Sequence, residues 1–227
     1  MASGKMYNLT FDTTGSSCSI ILQKGTDVVC AYEKTMDFGQ SEELMIQIQK
    51  MLENNNMKFL DIEVLFVCVG PGSFTGVRSS ISAARVFNIA NPNLKVGGVS
   101  AFDAYINVLS EDELAEINAV IIETRRDDFY IQIFDKKLNK ISEAMALERE
   151  TIIEALKEFG CSVSLVGDGV ERFLYTPSGL CLKTIKILDS LPIKTLAQTG
   201  LKQFKDKKLN YPKPLYLRAP DVSMPKQ

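Results

Sequence analysis

Three short segments hold the residue types that could do chemistry. Asp12-Thr13-Thr14-Gly15-Ser16-Ser17 puts a carboxylate, hydroxyls and a glycine in one turn. Gly70-Pro71-Gly72-Ser73-Phe74-Thr75-Gly76 is glycine-rich and runs into Val77-Arg78. Glu123-Thr124-Arg125-Arg126-Asp127-Asp128 repeats the acid–Thr opening of the first segment but contains no glycine. Loops of the first two kinds can present backbone N–H groups to an anion. The 227 residues contain no histidine. That excludes Ser-His-Asp and Cys-His nucleophile systems, histidine acid–base work and His-ligated zinc or iron.

The glycine loop departs from two phosphate-binding patterns. A Walker A loop needs Lys after its second glycine, and Val77 follows Gly76. A dinucleotide fingerprint needs G-x-G-x-x-G, and Gly70, Gly72 and Gly76 are spaced G-x-G-x-x-x-G. The loop therefore reads as a tight turn that lets a Ser/Ala-rich helix approach its neighbours, with Phe74 and Arg78 free for partner contact. Asp12 and Glu123 either face each other across a cleft or cap strand ends and satisfy turn amides. No metal site is expected.

The elements that must position these segments follow from periodicity. Tyr7–Phe11, Cys18–Gln23 and Val28–Glu33 read as strands joined by tight turns, an antiparallel meander. Leu44, Met45, Ile48, Met51 and Leu52 recur on one face of a helix over 41–55, with Ser41 as its N-cap. Val64–Val69 is a continuous apolar run, the pattern of a strand buried on both faces. A helix over 77–90 and a strand over 95–99 follow. The second half restarts with strands over 119–122 and 129–134. A helix over 150–159 (Ile152, Ile153, Leu156, Phe159), a strand over 164–166 and a helix over 193–204 come next, with an irregular tail from Tyr211. Each half reads strand, turn, strand, turn, strand, helix, strand, which implies a duplication.

Composition narrows the partners. Lys plus Arg is 26 and Asp plus Glu is 28, a net charge of −2. A stand-alone nucleic-acid binder would need a basic surface. The five cysteines are never in C-x-x-C spacing, and Cys18, Cys30 and Cys68 read as core thiols of a reducing compartment. No apolar run reaches the roughly 20 residues of a membrane span. A cytoplasmic location without membrane contact is expected, and Met1–Lys5 read as a leader before Met6.

Asp12-Thr13-Thr14-Gly15-Ser16-Ser17 resembles the first phosphate hairpin of actin-like and sugar-kinase-like ATPases, which clamp phosphate between two such hairpins. At Glu123–Asp128 the second hairpin has decayed. Val69–Arg78 is more specific: it resembles the signature of the TsaB (YeaZ) family. Phe11–Thr14, Glu123–Tyr130, Val166–Gly169 and Pro214–Arg218 match that family's other landmarks. Gln40, Glu123 and Thr124 depart from its usual residues.

The resemblance implies an α/β fold of duplicated actin-like (ASKHA, ribonuclease H-like) type, with an N-terminal half over 6–105 and a degenerate C-terminal half over 106–227. It implies a non-catalytic scaffold or activator of the bacterial machinery that makes N6-threonylcarbamoyladenosine (t6A) in tRNA. Catalysis belongs to TsaD, whose His-x-x-x-His metal site this histidine-free chain cannot supply. TsaE is a further partner, the chain forms a homodimer when alone, and tRNA is met only through the complex. The isolated chain needs no cofactor; ATP or ADP would sit only at the complex interface. Leu44, Met45, Ile48, Met51, Leu52, Phe74, Arg78 and Ala83 are the candidate partner and dimer surface. Asp12, Thr13 and Glu123 would be a vestigial nucleotide cleft. The competing reading is a degenerate sugar- or acetate-kinase-like phosphotransferase.

Overall fold

The computed structural model describes residues 6–36 and 38–218. Strands β1 (Tyr7–Asp12), β2 (Ser17–Lys24) and β3 (Asp27–Thr35) form the expected meander, and β1 also pairs in parallel with β4 (Val64–Cys68), which pairs with β5 (Lys95–Val99). The sheet order is β3-β2-β1-β4-β5. The second sheet contains β6 (Ile117–Glu123), β7 (Asp128–Asp135), β8 (Met145–Glu148), β9 (Val163–Gly167) and β10 (Leu182–Ile187), in the order β10-β9-β6-β7-β8. Read from β8, this is the order of the first sheet. The helices repeat too: α1 (Gln40–Asn54), α2 (Phe74–Ala90) and α3 (Ala101–Ile106), then α4 (Arg149–Lys157), α5 (Val170–Phe173) and α6 (Ile193–Lys205). This is the duplicated actin-like fold, two mixed sheets flanked by helices.

Strand alternation sorts each sheet into two faces. Leu9, Phe11, Ile20 and Leu22 pack outward against Leu44, Ile48 and Phe87 of α1 and α2. Ile121, Ile131 and Leu165 do the same against Ile152 and Leu156 of α4. The inner faces meet in one shared core holding Phe66 and Val99 from the first half and Val120 and Val166 from the second. Helices α3 and α6 fill it, in contact with each other, and each reaches across to the other half's sheet. Close approach there requires Gly200, where a Cβ would lie 2.6 Å from the Phe66 ring.

Several local expectations are corrected. Ser41 is not the N-cap of α1; Gly39, with φ of 85°, holds that place, and the Ser41 hydroxyl bonds to Ser79 Oγ at 2.7 Å. Helix α2 begins at Phe74 rather than Val77, because the Ser73 side chain accepts from Gly76 N at 3.3 Å and caps it. Phe159 lies past the end of α4 and is exposed. Cys18 and Cys68 are buried, whereas Cys30 is only half-buried. The short elements α3, β8, α5 and β10 were not visible in the pattern. No helix among the described residues is long and apolar enough to cross a membrane. Met1–Lys5 lie outside the described residues.

Because α6 binds the first sheet, damage at Gly200 should reach both halves. Gly200→Leu is expected to lower the urea midpoint, with overpacking of this kind costing about 1–3 kcal/mol. Hydrogen exchange should show protection falling in β4 and β9 alike. Loss confined to one sheet would show that the halves are energetically separate.

Candidate functional site

A cleft of about 770 Å³ lies between the halves and is lined by all three sequence segments. The first wall is the β1–β2 turn. Thr14 N donates to Asp12 Oδ1 at 2.8 Å, while Gly15 faces open space, with nothing within 4 Å of where a Cβ would lie. The glycine loop sits directly behind this turn. A Cβ on Gly76 would come within 2.0 Å of Thr13 O, and one on Gly72 within 2.5 Å of Thr14 O. Ser73 N donates to Thr14 O at 2.8 Å, and Thr13 Oγ1 bonds to Gly76 O at 2.9 Å and to Ser80 Oγ at 2.7 Å. The loop's glycines thus serve close backbone approach, and Ser80 gives the small-residue helix a specific partner.

The second wall is the β6–β7 turn, and it is closed by its own side chains. The Glu123 carboxylate accepts from Arg125 N, and Thr124 Oγ1 accepts from Arg126 N at 3.2 Å. Arg172 holds Glu123 through two hydrogen bonds of 2.7 and 2.8 Å and stacks on Phe129 at 3.8 Å. Arg125 N is paired with its acid as Thr14 N is on the first wall; the Thr124 bond to Arg126 N and the Arg172 clamp on Glu123 are what close this turn further. Arg125 adopts φ of 57°, the left-handed conformation that glycine would take without strain. The residues at this wall do not fit the second jaw of an ATP clamp. Asp12 and Glu123 both line the cleft, and each satisfies a turn amide.

The floor of the cleft holds residues that the motif search did not bring together. Asp168 follows β9, is half-buried, accepts from Glu123 N at 2.9 Å and shares a hydrogen bond with the Tyr105 hydroxyl. Burial pushes its carboxyl up to about 6, against those hydrogen bonds. Burial also raises Asp12, opposed by hydrogen bonds from Thr14 and Cys68, and raises the Tyr105 phenol well above its usual value. The signal for Asp168 was present in the sequence as an acid between two glycines after a strand. Tyr105 gave none, since a tyrosine in an apolar stretch reads as core. Among the described residues no three His, Cys, Asp or Glu side chains converge as a metal-ligating group.

At the cleft mouth, Phe74 is 40% exposed and lies under the Arg78 guanidinium at 3.9 Å. Arg78 Nε donates to Tyr216 Oη at 3.0 Å, and the Phe74 and Tyr216 rings are 5.3 Å apart. The α1 stripe divides differently from the expectation. Leu44, Ile48, Met51 and Leu52 are buried in the chain's own core, and Ala83 is half-buried against it. Besides Phe74, the large apolar side chains that α1 and α2 expose are Met45, Ile46, Val86 and Ile89.

Fold and cleft together define an actin-like protein with one open and one closed hairpin. The family model for TsaD, tRNA N6-adenosine threonylcarbamoyltransferase, matches residues 39–223, and the chain belongs to that family. Within it, the likeness to TsaB (YeaZ) runs along nearly the whole chain. The tRNA threonylcarbamoyladenosine biosynthesis protein TsaB of Escherichia coli (strain K12) is 27% identical over 226 residues, 94% of this chain and 95% of that one. The protein of the same name from Buchnera aphidicola is 25% identical over 173 residues, 73% and 76% of the two chains. The solved structure of YeaZ from Pseudomonas aeruginosa superposes with a TM-score of 0.76 at 18% identity, covering 93% of this chain and 100% of that one.

Two substitutions test the site's physics. Gly76→Ala is expected to lower stability by about 1–3 kcal/mol, because backbone faces it and cannot yield as a flexible side chain would. Asp168 carries the pH dependence. Its folded value near 6 exceeds the unfolded value near 3.9, so the folded state binds the extra proton between them. The contribution of Asp168 to stability therefore falls as pH rises from about 4 to 6 and stays reduced above. Asp168→Asn should raise the melting temperature at pH 7.5, by up to about 3 kcal/mol of stability, and change little at pH 4. An equal or larger gain at pH 4 would contradict this.

Proposed function

We propose that the chain is a non-catalytic subunit of t6A biosynthesis, a scaffold and activator for a TsaD-type partner that transfers threonylcarbamoyl to the adenosine beside the anticodon. The observation that carries this reading is the closed second hairpin. Thr124 occupies the Arg126 N–H and Arg172 clamps Glu123, which supports an internal turn in place of one jaw of the phosphate clamp. The chain also contains no histidine to serve as acid, base or ligand. The TsaB relatives, matched over most of their length, supply the biological context. The same hairpin speaks against the kinase-like alternative, since a phosphotransferase of this fold holds its phosphates from both sides.

On this reading TsaE is a second partner, and the chain pairs with itself when alone. Nucleotide acts only at the complex interface, and tRNA is reached through the complex in the cytoplasm. The net charge of −2 supports the indirect contact with RNA. The partner surface is the outer side of α1 and α2 with the Phe74–Arg78 mouth. Self-pairing uses it two-fold symmetrically, so the homodimer and the TsaD complex compete. Met45, Ile46, Val86 and Ile89 are its reachable apolar part, with Ala83 between the helices.

The test is a substitution on that surface. Val86 is 59% exposed, so Val86→Glu should leave the melting temperature within a few degrees of the parent. It should abolish both the homodimer in light scattering and co-elution with the organism's TsaD-type protein, because burying an unpaired charge costs several kcal/mol. A folded variant that loses neither association, or only one, overturns the shared-surface assignment.

A further inference from the structure

The tail after α6 has no regular secondary structure, yet it is held closely at both ends. Gly98 N donates to Asn210 O and Leu215 N to Val69 O, each at 2.8 Å. A Cβ on Gly98 would lie 2.9 Å from Pro212 Cα, so the tail is seated on a backbone that only glycine leaves bare. Tyr216 then joins the Phe74–Arg78 stack. Two residues later the chain reaches the other half. Arg218 forms an ion pair with Asp128, and its guanidinium lies 5.6 Å from the centre of the Tyr130 ring. Leu215–Arg218 line the cleft on the way across.

We propose that Asn210–Arg218 is a clasp that sets the opening of the cleft, seated on the first half and caught on the second by the Arg218–Asp128 pair. This goes beyond the t6A reading and does not depend on it. The two ends are unequal. The first-half end is fixed by backbone hydrogen bonds and an aromatic stack, whereas at the second-half end Arg218 makes an ion pair and a ring contact beside Leu217, which packs on the shared core. The pair is largely shielded, with 22% and 18% of its side chains exposed, so it is neither a free surface pair nor a sealed one. Release therefore begins at Arg218. It is felt in the cleft because Thr124 Oγ1, whose one proton is shared between the Asp128 carbonyl at 2.6 Å and the Asp128 carboxylate at 2.8 Å, closes the second hairpin. The state of the catch and the order of the hairpin are thus joined through one residue, Asp128.

Hydrogen exchange on the full chain tests the clasp. In Arg218→Gln, amides of 214–218 and of the hairpin 123–130 should exchange together, roughly 3- to 10-fold faster, while β4 and β9 stay unchanged. Wild-type protein in about 1 M salt, where the Debye length is near 3 Å, should move in the same direction. Arg218→Lys, which keeps the positive charge and leaves Asp128 in place, should stay nearer the wild-type rate than Arg218→Gln does. Faster exchange confined to 214–218 would show a local staple rather than a clasp and overturn the proposal, as would no change at either segment. If Arg218→Gln fails to fold, the wild-type salt series decides by the same two criteria.

Discussion

The structure depends on two helices that are exchanged across its centre. Helices α3 and α6 end their own halves, yet each also packs on the opposite sheet, and the shared core of Phe66, Phe102, Val120, Val166 and Leu196 belongs to both. Burial of these side chains is worth roughly 1.5–3 kcal/mol each, and none of it is available to one half alone. The cleft is a consequence. Its floor is Tyr105 from α3 against Asp168 after β9, so its depth is fixed by the same packing that joins the halves.

With that frame held, the walls of the cleft have diverged. On the first, Gly15 still faces open space. On the second, Glu123 and Thr124 fold back on the turn, and Arg172 locks Glu123. Helix α5 has four residues where its counterpart α2 has 17. The duplication therefore retains its sheets, and the proposed partner surface falls on the half that retains its long helices. The signature loop fits this division. Its glycines are spent on contact with Thr13 and Thr14, while Phe74 and Arg78 project to the mouth.

Much of this was legible in the sequence because it is local. The meander, the buried β4 and the long amphipathic α1 each carry a period that a short window reveals. The acid–Thr pairs at Asp12 and Glu123 mark the two hairpins correctly. What escaped was short or long-range. Ala101–Ile106 is apolar apart from Asp103, and six residues with one charge cannot separate a helix from a buried strand. Strand β10 mixes Lys183 and Lys186 with its isoleucines, as edge strands do, and reads as loop. The α1 stripe was legible as apolar, but only the fold shows that Leu44, Ile48, Met51 and Leu52 spend that surface internally. Arg172, Tyr216 and Arg218 reach the cleft by contacts of 49 to 138 residues' separation for the first two, and spacing along the chain carries no trace of them.

The proposed role is tested most directly by omission. Transcribed tRNA would be incubated with the organism's TsaD- and TsaE-type proteins, ATP and the enzyme that supplies threonylcarbamoyl-adenylate, with and without this chain. Modified adenosine would then be counted by mass spectrometry of the digested tRNA. A scaffold and activator predicts product in the complete mixture, background without this chain, and background with this chain as the sole protein besides the threonylcarbamoyl-adenylate supplier. Undiminished product in its absence, or product formed by this chain without the TsaD-type protein, would contradict it.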